Sequence, residues 1–252
     1  MKLGCVPYIN ALPLTHFLDP QKFEIITRPP AELLELLQNK RVDAALLPIV
    51  NYFETEHLYL VPHLAIASDG AVMSVKLFLK NPSHPIEKLK YIYLDQESRT
   101  SQLLLQSLLL HHFKRDLSQI VFLKDPKDPR AEAELLIGDK ALDKQAAPFH
   151  DLGKLWLDYS RKPFVYAAWM TASPAPAGLK EALTEARNKG LENLSKIIES
   201  LPRYSPLLLK EYFTNAIRYY MGEAELEGVR AFYESLKPIQ GYPHELHFRF
   251  VS

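Results

Sequence analysis

Gly4-Cys5-Val6-Pro7-Tyr8-Ile9-Asn10-Ala11-Leu12-Pro13-Leu14 is the stretch whose reading decides the fold. Residues 2–6 read as a short buried strand. Pro7 then removes a backbone donor, Asn10 can cap a helix, and Pro13 fits only in the first turn of the helix that follows. A strand running directly into a helix is the repeating unit of open α/β sheets. In such sheets these turns sit at the carboxyl ends of the strands, where ligands bind and helix N-termini favour anions. Two roles for Asn10 stay open on these residues alone: a helix cap, or an amide offered to a ligand.

Outward from this turn the alternation continues. Residues 23–27 read as a strand, 30–37 as a helix apolar on one face, and 43–48 as a buried strand ending at Pro48, on the same edge as Tyr8 and Asn10. Residues 58–61 and 64–67 read as two short strands, and 72–79 as a strand containing Ser74. Asn81-Pro82-Ser83-His84-Pro85 is the clearest break in the chain. The pattern then restarts with strands at 90–94, 120–123 and 134–137, and a long helix at 102–113. Residues 164–171 read as a returning strand, and Ala172-Ser173-Pro174-Ala175-Pro176 as a second break. From Gly178 on only helices are expected, over about 179–199, 206–221 and 224–236, with Gly222 as a helix stop. The implied architecture is α/β with two lobes joined by two crossings. Residues 1–81 with 174–252 form one lobe and 82–173 the other, with a ligand in the cleft between them.

Composition narrows the class. Hydrophobic residues make up 47% of 252, enough for one large or two small cores. Lys plus Arg and Asp plus Glu are each 30, giving formal net charge zero and arguing against nucleic acid as a partner. The single cysteine, Cys5, excludes an internal disulfide and lies in a strand, as a buried small hydrophobe does. Neither a signal peptide pattern nor an apolar run long enough to span a membrane occurs, so a cytoplasmic location without membrane attachment is expected.

Among polar groups, Ser98-Arg99-Thr100-Ser101 follows a strand and opens a helix, bringing hydroxyls, a guanidinium and backbone N–H groups into one turn. That combination suits a carboxylate or phosphate. Gly138-Asp139 has no second glycine and cannot be a dinucleotide fingerprint or P-loop; it reads as a tight turn with Asp139 capping or facing the cleft. Trp169 and Tyr166 read as core residues, one of them able to wall the cleft. The nine histidines, including His111-His112 and the His244, His247 pair, give no metal-ligand spacing, and no nucleophile elbow exists. No metal, nucleotide or flavin requirement is expected.

Taken in order, residues 6–14, 43–52, 66–75 and 94–101, then 138–142, 151–156 and 163–169, resemble the chorismate dehydratase family of the futalosine route to menaquinone. The resemblance covers about residues 3 to 170. It implies a type 2 periplasmic-binding-protein fold used as a cytoplasmic enzyme, with chorismate, a small dicarboxylate, as substrate. It also implies that Asn10 and Ser74 act at that substrate. Tyr8, Pro48, Ser98, Arg99, Thr100, Ser101, Asp139 and Trp169 complete the candidate site. A sensing protein of the same fold, or the sister enzyme acting on a later intermediate, is the alternative. Oligomeric state stays open.

Overall fold

A computed structural model describes residues 1–144, 147–242 and 245–251. In chain order the elements are β1 (Lys2–Cys5), a 3-10 turn (Ile9–Ala11), α1 (Leu12–Thr15), β2 (Glu24–Thr27), α2 (Pro30–Gln38), β3 (Ala44–Pro48), α3 (Ile49–Glu54), β4 (Tyr59–Ser68), β5 (Val75–Leu79) and β6 (Tyr91–Leu94). There follow α4 (Arg99–His111), β7 (Val121–Leu123), β8 (Ala133–Ile137), α5 (Gly138–Asp143), β9 (Phe149–Asp151), α6 (Leu152–Ser160) and β10 (Phe164–Thr171). The last helices are α7 (Leu179–Glu192), α8 (Leu194–Glu199), α9 (Pro206–Glu211) and α10 (Glu223–Gln240).

The chain divides into two compact units: Met1–Ala67 with Val165–Leu226 and Leu246–Ser252, and Ser68–Phe164 with Glu227–Glu245. Each unit holds one five-stranded sheet, in the orders β2-β1-β3-β10-β4 and β7-β6-β8-β5-β9. The two orders are the same arrangement. In the first, β1 pairs parallel with β2 and β3, and β10 runs antiparallel to β3. In the second, β6 pairs parallel with β7 and β8, and β5 runs antiparallel to β8. In each case the antiparallel strand is the one on which the chain enters that unit. No repeat is legible in the sequence, because strand pairing fixes this order and side-chain identity does not.

The boundaries differ from the expected 81/82 and 173/174. β5 pairs with β8 and β9, and β10 pairs with β3, so the chain changes units at 67/68 and 164/165; it changes twice more, at 226/227 and 245/246, making four crossings where two were expected. Both Pro-rich breaks are connections within a unit. Proline marks a loop wherever the chain leaves a sheet, and it carries no information about which sheet the next strand joins. From Glu227 on, α10 belongs to the second unit, where its Phe232 packs edge-on against Trp156 and Phe164. The two strands expected over 58–61 and 64–67 form one, β4 (Tyr59–Ser68), with His63 in the left-handed region (φ 65).

The expected helix over 206–221 is also shorter. α9 ends in a π turn, Tyr212–Ala216, after which the chain extends and Arg218 exchanges both backbone hydrogen bonds with Ala67, at 2.8 and 2.9 Å. Ile217, Tyr219 and Met221 are buried while Arg218 and Tyr220 are exposed, the period of two that an extended edge requires. The C-terminal segment adds a second bridge at the other end of β4, with Leu60 bonded to Arg249 and Val251. Gly222 opens a helix rather than closing one: its N–H donates to the Glu225 carboxylate at 2.9 Å, ahead of α10.

Candidate functional site

In the first unit the carboxyl ends of β1 and β3 lie at one sheet edge with the start of β10, since Ala167 faces Pro48 across the ladder. Pro48 is buried and stands at the N-terminus of α3; Tyr8 precedes the 3-10 turn in an extended conformation. Asn10 lies inside that turn and caps nothing. Tyr8 occupies the cap position of the turn and Ala11 that of α1, and neither terminus receives a side-chain hydrogen bond. Asn10 Oδ1 is instead buried without a hydrogen-bond partner among the described residues. The indole N–H of Trp169 is in the same condition, on a residue 0% exposed opposite Leu46. Such atoms ordinarily find a partner, because an unsatisfied buried polar group costs about 1–3 kcal/mol. Beside them Cys5 is inert, its thiol pushed up to about 12 by burial.

In the second unit the carboxyl ends of β6 and β8 and the amino end of β5 share an edge, with Leu94 opposite Leu135 and Val75 opposite Ile137. Three loops meet there. Ser74 lies just before β5 rather than in it, 2% exposed, and among the described residues its Oγ reaches only the Val72 carbonyl, at the limiting distance of 3.5 Å. Its own carbonyl accepts from the N–H of Gly138 at 2.8 Å, which joins the Gly138-Asp139 turn to the Ser74 loop. Asp139 is half-buried in the first turn of α5.

The Ser98–Ser101 turn is organised as a cap. Ser98 Oγ accepts from Ser101 N at 3.2 Å and donates to Ser101 Oγ at 2.9 Å. Thr100 and Ser101 are buried at the N-terminus of α4, whereas Arg99 is exposed and donates to Gln240 Oε1 at 2.8 Å. This turn is tied to α5 by Lys140, whose Nζ lies 3.2 Å from Asp95 and 2.9 Å from Glu97. Burial works against the Lys140 charge, but Glu97 and Asp95 outweigh it and hold its pKa above the usual lysine range. The Asp95 side chain is 1% exposed and that of Lys140 49%. Lys140→Ala is therefore expected to cost about 1–2 kcal/mol in a urea titration, less than a fully buried pair because half of Lys140 is in water. An unchanged midpoint would mean that Asp95 needs no cation.

Sequence reasoning assigned no role to Asp151. Its carboxylate accepts three backbone N–H groups, from Val72 at 3.0 Å, Met73 at 2.8 Å and Lys154 at 3.1 Å. The Lys154 bond is an ordinary cap of α6 and was legible; the other two span more than 75 residues and were not. Among the described residues no group of three or more His, Cys, Asp or Glu could hold a metal ion, and no helix is long and apolar enough to cross a membrane. His244 lies outside the described residues.

A family model described as menaquinone biosynthesis matches residues 1–238. Chorismate dehydratase of Thermus thermophilus is 33% identical over 266 residues, covering 93% of this chain and 94% of that protein. Protein AF1704 of Archaeoglobus fulgidus superposes with a TM-score of 0.74 at 14% identity, over 94% of this chain and 96% of that one. The alkanesulfonate-binding protein SsuA of Xanthomonas axonopodis, bound to MOPS, gives 0.68 at 13% identity, over 98% and 95%. A Candida albicans protein described as having the generic periplasmic binding protein fold gives 0.58 at 12%, over 100% and 98%. These structural likenesses establish the fold, that of the periplasmic binding proteins. The match over residues 1–238, together with the identity to the Thermus enzyme along nearly all of both chains, shows that this chain belongs to the menaquinone-biosynthesis family of enzymes.

Proposed function

We propose that the protein removes water from chorismate to give 3-[(1-carboxyvinyl)oxy]benzoate, a hydro-lyase reaction supplying menaquinone by the futalosine route, in the cytoplasm. The observation that carries this reading is the 33% identity to the Thermus chorismate dehydratase over 93% of the chain. The chemistry suits the residues. The proton on the ether-bearing ring carbon is vinylogous to the ring carboxylate. Its loss, with departure of the neighbouring hydroxyl, breaks one C–H and one C–O bond and makes the ring aromatic. So favourable an elimination needs orientation more than a tuned acid–base pair, and the candidate groups are an amide and hydroxyls.

In this reading the substrate's enolpyruvyl carboxylate takes the proton. Asn10 orients that carboxylate, and Ser74 hydrogen-bonds a carboxylate or the leaving hydroxyl. Tyr8, Pro48, Trp169, Thr100, Ser101 and Asp139 line the ligand. Ser98 acts as the cap that holds Ser101. Arg99 is given no direct contact, since its guanidinium is engaged by Gln240. The unsatisfied Trp169 Nε1 and Asn10 Oδ1 support this choice in different ways: a ligand carboxylate can accept from the indole N–H, whereas Asn10 Oδ1 can only accept, from the ring hydroxyl of chorismate, which leaves the Asn10 amide N–H groups for the carboxylate.

Incubating purified protein with chorismate and following the products by HPLC tests the proposal. Conversion to the aromatic ether at micromolar enzyme is expected. Chorismate recovered unchanged after an hour would make the protein a binder of the same fold.

A further inference from the structure

We infer that Asp151 is the positioning residue for Ser74: its carboxylate clamps the backbone of the two residues that precede the serine. This rests on the reading above in which Ser74 touches substrate. Asp151 ends β9 and pairs with Lys76 of β5, the strand that Ser74 directly precedes. From there Oδ1 accepts from Val72 N at 3.0 Å and Oδ2 from Met73 N at 2.8 Å. Met73 sits in the left-handed region (φ 65), which costs a non-glycine residue about 1 kcal/mol or more and persists only where surrounding bonds impose it. The two N–H groups converging on one carboxylate are such bonds.

The rest of the Ser74 environment depends on that geometry. Among the described residues the hydroxyl's contact is the carbonyl of Val72, at the limiting distance of 3.5 Å, so the position of Ser74 Oγ is set by the backbone of Val72 and Met73 that carries it. A bond this long leaves the hydroxyl available to a ligand. On its other side Ser74 is fixed through its carbonyl by Gly138. Asp151 thus holds the hydroxyl's side of the loop and Gly138 the carbonyl's.

Asn caps a helix as well as Asp but offers one acceptor oxygen, so in Asp151→Asn either Met73 N, or Val72 N and Lys154 N, faces an amide NH2. The test is a double-mutant cycle with Ser74→Ala, measuring kcat and KM for chorismate and Tm for each variant. Ser74→Ala is expected to lower kcat/KM by about thirtyfold and Asp151→Asn by about tenfold, divided between kcat and KM in the same proportion, with the fold retained. The double variant is expected within about twofold of Ser74→Ala alone, since a residue acting through Ser74 has nothing to act on once the hydroxyl is gone. Multiplying losses would overturn the role of Asp151 and leave that of Ser74 standing, as would near wild-type activity of Asp151→Asn beside an impaired Ser74→Ala. Full activity of Ser74→Ala would overturn both. Should Asp151→Asn fold poorly, Asp151→Ser keeps a capping oxygen for Lys154 and cannot span Val72 and Met73, and the same outcomes apply to it.

Discussion

Asn10→Asp is expected to lower kcat/KM for chorismate by about 30-fold or more, equivalent to about 2 kcal/mol of transition-state stabilisation. The substitution keeps shape and exchanges an amide for a negative charge. If Asn10 orients a substrate carboxylate, that charge repels what it should attract, and the loss exceeds that of one neutral hydrogen bond. The companion variant removes ambiguity about folding. Asn10 Oδ1 is buried without a partner among the described residues, and the side chain caps neither the 3-10 turn nor α1. Asn10→Ala deletes an unsatisfied atom, so its unfolding midpoint is expected unchanged or higher while its turnover falls as steeply. A position that gains stability as it loses activity is one kept for function. Near wild-type kcat/KM in Asn10→Asp would return the residue to a structural role.

Gly190→Ala is expected to have the largest effect on stability. In an ordinary helix interior this change would gain up to about 1 kcal/mol. Here a Cβ on Gly190 would lie 2.0 Å from the carbonyl oxygen of Pro13 and 2.8 Å from its carbon. Both obstacles are backbone, so no side chain can rotate away. α7 would have to withdraw from α1, the helix that continues the Asn10 turn. Overpacking of this kind costs about 3 kcal/mol or more. A urea titration is expected to show that loss, and the folded fraction to turn over more slowly because the turn bearing Asn10 has moved. Unchanged stability would mean that α1 and α7 are not seated on each other through this glycine.

Local elements were legible because strand and helix periods are written in burial. β1, β3 and β8 are short apolar runs, and α4 carries its apolar face at helical spacing. The Ser98 cap followed from residue type alone. What escaped was whatever depends on pairing across the chain. Nothing in Val75–Leu79 says that it joins β8 rather than β3, so the first two of the four unit changes lie 14 and 9 residues before the boundaries that the Pro-rich breaks suggest, and the last two carry no sequence mark. At 217–221 the alternation Ile-Arg-Tyr-Tyr-Met was present but was overridden by the helical pattern before it. Asn10 reads as a cap because asparagine after a proline-broken strand usually is one; the 3-10 turn places it two residues past that turn's cap position and one short of that of α1. The Asp151 clamp and the Lys140 tie join residues more than 40 apart (Glu97 to Lys140 is 43), and no spacing rule reaches that far.

A crystal structure of the protein with its aromatic product bound tests the central claim most directly. A ligand carboxylate oxygen is expected within hydrogen-bond reach of the Asn10 amide, about 3 Å, with a second ligand oxygen at the same distance from Ser74 Oγ. A product that touches neither residue, with the Asn10 amide satisfied by the protein alone, would contradict it.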